Sequence, residues 1–170
     1  MIYHPRKDIY HCCFRLLSIL SLTENESIDI NKLRIIDFFL VFPNYLVIKD
    51  GLSFNKYITF PKGKSISAKI LKKIDKPFEY LPNPKILFSE LSDFQTHALL
   101  ILKAKKIIEI DNELVIKSEK FNTVKDNLIS DTRFVSDEVF KELIMKLLDI
   151  DNLKTQIGRA SCRERVSSPV

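Results

Sequence analysis

The sequence has no Trp among its 170 residues, so its core must rest on Phe, Leu and Ile. It has no uncharged apolar run of the roughly 18 residues that a membrane helix needs. Its first ten residues, MIYHPRKDIY, have no apolar signal-peptide core. These absences predict a cytoplasmic protein without a membrane span, in which the cysteines are reduced.

Familiar catalytic motifs are also missing. The chain contains no HExxH, GxSxG or GxGxxG pattern, and the GxxxxGK[ST] spacing of a phosphate-binding loop is absent. Its carboxylates do not pair convincingly, since they occur at predicted helix caps or on helix faces. We therefore predict that the protein is not an enzyme and uses no cofactor, metal or small-molecule substrate.

The last part of the chain differs in composition from the rest. Residues 1–156 contain 20 Lys and 4 Arg, whereas residues 157–170 contain 3 Arg and no Lys. The segment IGRASCRERV matches what a common sequencing adapter encodes when read in frame, so we predict that residues from about 157 onward are an artefact. A natural disordered tail is the alternative. The tail carries 3 Arg and 1 Glu, so the net charge of +5 falls to +3 without it, and the loss of Cys162 leaves two cysteines.

What is present indicates a folded α+β protein. Hydrophobic residues make up 45% of the chain and charged residues 29%, which favours a buried core over disorder. Apolar spacing predicts a first helix over 8–22 with Asp8 as its cap, then the polar turn TENES. A second helix starts at Asp29 or Asn31 and stops before Pro43.

The remaining predicted elements are short. In chain order they are strands at 45–48 and 56–60, a basic helix at 65–74, helices at 85–91 and at 93–105 (capped by Ser92 or Asp93), a β-hairpin around Asp111-Asn112 with strands at 107–110 and 113–116, and helices at 121–130 and 136–149.

A helix pair followed by a hairpin is the local order of a winged helix. We therefore predict a mostly helical α+β fold, built either from two winged-helix-like units in tandem, each with a small hairpin, or from one such unit with helical extensions. The predicted division is an N-terminal unit over 1–76, a Pro-rich connector over 77–84, a winged-helix-like unit with C-terminal helices over 85–156, and the artefact over 157–170.

The opening stretch YHPRKDIYHCCFRLL raises the question of a metal or thiol site. It contains four candidate zinc ligands: His4, His11, Cys12 and Cys13. Adjacent cysteines on a helix point about 100° apart, however, and the chain has no CxxC or HxxxH motif that would complete a site. A catalytic thiol would need a partner base, and neighbouring helical side chains diverge. We predict that both cysteines are small core residues.

The aromatic and basic side chains around this helix start are a candidate partner-binding surface. It consists of Tyr3, His4, Tyr10, His11 and Arg15. The alternative is an N-terminal segment that packs back on its own fold.

A lysine-rich segment lies at residues 56–76, which contain 7 Lys and a single acid, Asp75. Such local charge is typical of a surface that faces a polyanion, and FPKGKSIS resembles a phosphate-contacting loop before a helix N-terminus. The candidate contacts to a nucleic-acid backbone are Lys62, Lys64, Lys69, Lys72 and Lys73. A solvated face in a lysine-rich protein is the alternative.

More lysines surround the predicted hairpin: Lys103, Lys105, Lys106, Lys117 and Lys120. The helix before it, SDFQTHALLILKAKKII, is very apolar, whereas a DNA-reading helix presents polar and basic side chains. This favours a protein–protein module over a stand-alone winged-helix transcriptional regulator, which is the alternative. We expect His97 on this helix to be a structural histidine.

Short motifs in residues 3–43 resemble the middle-component proteins of bacterial ABC-three-component systems. They are Tyr3-His4-Pro5, Tyr10-His11, Phe14-Arg15, Leu33-Arg34-Ile35, Asp37-Phe38 and Phe42-Pro43. The resemblance implies a non-enzymatic subunit that is encoded beside an SMC-like or ABC ATPase and an effector component. It implies a role similar to that of the small accessory subunit of Lamassu-type anti-phage defence, which couples DNA sensing to the effector.

Overall fold

A computed structural model describes residues 8–46, 82–131 and 138–150. These residues form helices around a small antiparallel sheet, which confirms the predicted mostly helical α+β class. The predicted strand at 56–60, the basic helix at 65–74 and residues 77–81 of the connector lie outside the described residues.

Helix α1 spans Ile9–Leu22 and begins where it was predicted. The carboxylate of Asp8 caps it, accepting hydrogen bonds from the backbone N–H groups of Tyr10 at 2.7 Å and His11 at 3.2 Å. Thr23 follows the helix, and its backbone N–H and hydroxyl both donate to the carbonyl of Ile19.

Helix α2 spans Ile30–Val41, and Asp29 caps it by accepting a hydrogen bond from the backbone N–H of Lys32 at 2.8 Å. Asp29 also ends the three-residue strand β1, Ser27–Asp29, which the sequence analysis missed. A strand with a single buried side chain, Ile28, is too short to show the alternation that identifies strands.

The strand predicted at 45–48 is wrong at its described end, because Pro43–Leu46 form a turn of 3-10 helix. Ring packing explains the difference. Tyr45 is buried with its ring centroid 5.7 Å from that of Phe38 and 6.2 Å from that of Phe42. Its hydroxyl donates a hydrogen bond to the carbonyl of Pro82, just before the next described helix.

Helix α3 spans Pro84–Ala104 without a break, so the prediction of two helices separated at Ser92-Asp93 is wrong. Asn83 caps this helix by accepting a hydrogen bond from the backbone N–H of Lys85 at 3.0 Å. Ser and Asp are good caps, but here a continuous buried stripe overrides them. The stripe consists of Leu91, Gln95, Ala98, Leu99 and Leu102.

The predicted hairpin is confirmed, with its turn one residue later than expected. Strands β2, Ile108–Asp111, and β3, Leu114–Lys117, pair so that Asp111 faces Leu114. Asn112 occupies the turn with a φ of 52°, a left-handed conformation that Asn tolerates better than most residues.

The three strands form one antiparallel sheet in the order β1-β3-β2. Ile28 of β1 lies opposite Val115 of β3, and both are buried. The sheet and the core therefore combine residues from both predicted units. Since the connector lies largely outside the described residues, the division into units stays a prediction.

Two helices close the described chain, as predicted. Helix α4 spans Glu119–Asp131 and helix α5 spans Glu138–Leu148. Helix α5 packs against both α1 and α2 and buries Leu143, Ile144 and Leu147. Helix α1 is thereby surrounded on most sides, and only its N-terminal turns present a wide exposed face.

Candidate functional site

The exposed face of α1 carries two residues of the predicted partner-binding surface, Tyr10, which is 69% exposed, and His11. Phe14, which was not predicted for this surface, lies one turn after Tyr10 and is 48% exposed. Tyr3 and His4, predicted for the same surface, lie outside the described residues. Large exposed aromatic rings on neighbouring turns are typical of sites where proteins bind one another.

Arg15 does not belong to that surface, which corrects its predicted role. It is 4% exposed, and its Nε donates a hydrogen bond of 2.6 Å to Oδ1 of Asp37, which is fully buried. A second contact, from Nη2 to Oδ2, is 3.3 Å long. Arg15 turns inward because a buried carboxylate on α2 must be paired.

A third helix completes this polar cluster. Gln95 of α3 is fully buried, and its Nε2 donates to Oδ2 of Asp37 at 2.8 Å and to the backbone carbonyl of Arg34 at 3.1 Å. The carboxylate of Asp37 thus binds side chains of both α1 and α3. The cluster thus joins α1, α2 and α3 through hydrogen bonds.

Sequence reasoning missed the cluster, although a pattern pointed to it. Asp37 interrupts the apolar run IIDFFL, and Arg15 interrupts CCFRLL. A charge inside the buried stripe of a helix needs a partner, so two such interruptions on adjacent helices indicate an ion pair.

Electrostatics in this cluster follow from burial and from the Asp37 charge. Burial opposes the charge on Arg15, but the carboxylate of Asp37 outweighs it and raises the pKa of the guanidinium. Burial lowers the pKa of Arg34, whose Nη2 donates to the hydroxyl of Thr96 at 2.9 Å. Among the described residues, buried Nε of Arg34 and Oε1 of Gln95 have no hydrogen-bond partner.

Both cysteines of the opening stretch are core residues, as predicted. Cys12 is fully buried and faces the cluster, and Cys13 is 8% exposed with its thiol directed to the carbonyl of Ala98 on α3, 3.7 Å away. Burial, reinforced by the charge of Asp37, raises the pKa of Cys12 far above its usual range. Burial also raises the pKa of Cys13. Both thiols are protonated at neutral pH, so neither is an activated nucleophile.

In the three described ranges, no group of three His, Cys, Asp or Glu side chains could hold a metal ion.

His97, which we expected to be a structural histidine, is exposed instead. It lines a shallow groove between α1 and α3 with a volume of about 350 Å³. We call this the α1–α3 groove, and its lining residues are Ile9, His97, Leu100, Ile101 and Ala104.

Lysines at the end of α3 lie next to this groove. Lys103, Lys105 and Lys106 are exposed, and within the described part of the chain none of their ammonium groups pairs with a carboxylate. Lys106 has a φ of 56°, a left-handed conformation in which glycine is usual after a helix.

The two lysines of the hairpin region have structural contacts. Lys117 donates to the carbonyl of Thr23 at 2.6 Å, and its ammonium lies 5.6 Å from the ring centroid of Phe121. Burial lowers its pKa. Lys120 donates to the carbonyl of Lys105 at 3.2 Å. These lysines tie the hairpin and α4 to their neighbours.

The predicted nucleic-acid contacts, Lys62, Lys64, Lys69, Lys72 and Lys73, lie outside the described residues. Their role stays a prediction. Across the parts of the chain that the structure describes, no helix combines the length and the apolar character needed to cross a bilayer.

The fold and the surface define a small α+β protein in which three helices join at a buried ion pair and the first of them presents exposed aromatic side chains. The chain belongs to the ABC-three component (ABC-3C) system Middle Component 5 family, whose model matches residues 1–156. The resemblance read from the motifs of residues 3–43 is thus confirmed. Neither a curated protein nor a solved structure matches the chain.

Proposed function

We propose that this chain is a non-enzymatic accessory subunit of an anti-phage defence complex, and that it acts through protein–protein contacts with an SMC-like or ABC ATPase. The observation that carries the proposal is the family match over residues 1–156, since a middle component of a three-component system implies protein partners. In this role the subunit couples the ATPase to an effector component.

The exposed rings of α1 support a docking role for its N-terminal turns. Tyr10 and Phe14 are held on a helix whose opposite face is fixed by the core, so they present a rigid surface. Rigid aromatic anchors lose little conformational entropy on binding, which makes them frequent contributors to interface energy.

Contact with the DNA backbone is a second part of the proposal, carried by the lysine-rich segment at residues 56–76. Backbone contact of this kind is salt-sensitive and independent of sequence.

The alternative function is that of a stand-alone transcriptional regulator. This alternative rests on the predicted winged-helix-like fold, with which the helix–strand–helix–helix–hairpin order of the described elements is compatible.

Co-purification tests the proposal. The tagged chain would be expressed with the other two components of its system, and the eluted material would be sized by light scattering. We expect the ATPase component to elute with this chain in a defined ratio. A chain that elutes alone and binds one DNA sequence tightly at physiological salt would overturn the subunit proposal in favour of the regulator.

A further inference from the structure

We propose that the α1–α3 groove and the lysines beside it bind an acidic amphipathic helix of a partner component. This inference rests on the proposed function, because it names the site and the chemistry of the contact through which the subunit is recruited. It rests on three observations: the shape of the groove, its charge, and the backbone conformation of Lys106.

The groove has the periodicity of a helix-binding site. His97, Leu100, Ile101 and Ala104 follow one another at helical spacing along α3, and Ile9 of α1 forms the opposite wall. Its lining is almost entirely apolar, and Leu100 is 55% exposed. A helix laid along α3 would fill such a groove with apolar side chains at positions i, i+3 or i+4, and i+7.

The lysines at the C-terminal end of α3 favour a partner helix that carries acidic residues. Lys103 lies three residues after Leu100 and Lys105 lies four after Ile101, so both continue the rows of side chains that line the groove. Lys105 is also near enough to α1 for its charge to oppose the rise that burial causes in the pKa of Cys13. Two carboxylates also adjoin the groove: Asp8 precedes Ile9 and adds to the rise in the pKa of Cys13, and exposed Asp93 lies one turn before His97. The excess of positive charge is therefore confined to the last turn of α3 and Lys106, where three lysines face the one carboxylate of Asp8. The surface therefore favours a partner helix with Asp or Glu beside its apolar stripe.

The same charges disfavour a second copy of this chain. A symmetric pair formed through the groove would bring the lysines of both α3 ends together, and juxtaposed like charges oppose association. An acidic helix from another component meets no such repulsion.

The position of Lys106 shows that compensation of the helix dipole does not account for all the lysines at the C-terminal end of α3. Lysines in a last helical turn offset the macrodipole, but Lys106 lies beyond that turn, in a left-handed conformation that glycine adopts without steric cost. A lysine at this position adds a third positive charge where glycine would be the more stable choice.

Photocrosslinking identifies the occupant. A benzophenone amino acid would replace Leu100 in the complex of all three components, and Ile86, which is 57% exposed on the same helix, would carry it in the control. We expect the Leu100 probe to crosslink to an acidic segment with helical apolar spacing in another component. Crosslinks to a second copy of this chain, or equal crosslinking from both probes, would overturn the proposal.

Affinity measurements test the two chemical features separately. Leu100→Ser should raise the Kd of the complex by about tenfold, while Ile86→Ser should leave it within about twofold. Combining Lys103→Gln, Lys105→Gln and Lys106→Gly should also raise the Kd by about tenfold at low salt. The Kd of this variant should then depend less on salt concentration than that of the wild type. The matched control is Lys85→Gln, Lys141→Gln and Lys146→Gln, which removes the same charge from exposed positions elsewhere.

The outcomes separate this inference from the proposed function. If the wild-type chain binds no component of the system, the proposed function fails. If the wild type binds and the groove variants bind as tightly as their matched controls, the groove inference is wrong while the proposed function stands. Circular dichroism melting curves would establish that each variant is folded at the binding temperature.

Discussion

Arg15 and Asp37 form an ion pair that is almost completely removed from water, at 4% and 0% exposure. Removing one member leaves the other as an unpaired buried charge. We predict that Asp37→Asn lowers the free energy of unfolding by about 3–5 kcal/mol. Arg15→Met together with Asp37→Leu should recover most of this loss, because apolar side chains fill the space without a charge. Urea unfolding of both variants provides the measurement.

An exposed carboxylate on α3 supplies the control for this pair. Asp93→Asn removes a charge at the surface and should change the unfolding free energy by less than about 0.5 kcal/mol. If Asp37→Asn were equally mild, the ion pair would have no structural role and the three-helix junction would have to be explained by apolar packing alone.

The Cys12 thiol makes stability depend on pH. Its pKa is higher in the folded chain than the ordinary value of 9.0. Its contribution is therefore complete below pH 9 and is lost as the pH rises toward the folded pKa, since the unfolded chain then gives up the proton first. We predict that the wild type loses stability relative to Cys12→Ala as the pH rises above about 9. The control is Ile19→Val, another core truncation on α1, whose unfolding free energy should differ from that of the wild type by the same amount at every pH. A difference between Cys12→Ala and the wild type that also stays constant with pH would contradict the prediction.

At the scale of single elements, the end of α3 combines a binding feature with a stability cost. The backbone N–H of Ile107 donates to the carbonyl of Leu102, as in a helix terminated by a left-handed residue, and that residue is Lys106. We predict that Lys106→Gly raises the free energy of unfolding by about 0.5–1 kcal/mol, because glycine adopts this conformation without steric cost. Lys103→Gly inside the helix should lower it by a similar amount. Thermal or urea unfolding distinguishes the two, and a destabilised Lys106→Gly would show that its side chain has a packing role.

Elements whose signals are local could be predicted from the sequence. Asp8 and Asp29 cap helices where expected, and the Asp111-Asn112 region forms the expected hairpin. The errors arose where distant contacts decide. The Ser92-Asp93 cap signal is overridden by the core packing of α3, and Tyr45 forms ring contacts instead of joining a strand.

The candidate site could be predicted only in part, for a related reason. Exposure of Tyr10 and His11 followed from the helical periodicity of α1. Burial of Arg15 and exposure of His97 depend on which helices pack together, which periodicity within one helix does not specify. The groove itself arises only when α1 and α3 lie side by side.

At the scale of the whole molecule, the sheet joins two parts of the chain that lie far apart in sequence. Strand β1 pairs with β3, although more than eighty residues separate them, and α1 packs against α3. We predict that residues 77–156 expressed alone do not fold cooperatively, because they lack the apolar surface of α1 and α2. Urea unfolding followed by circular dichroism would measure this, with the chain 1–156 as control. A cooperative transition of the fragment would favour two independent units.

Hydrogen exchange in the assembled complex tests the central claim most directly, namely that this middle component binds its partner through α1 and α3. Amide exchange would be compared between the free chain and the complex of all three components. The account predicts added protection at the first turns of α1, around Tyr10 and Phe14, and at the last turns of α3, around Leu100. Unchanged exchange at both places, with new protection confined to other surfaces, would contradict it.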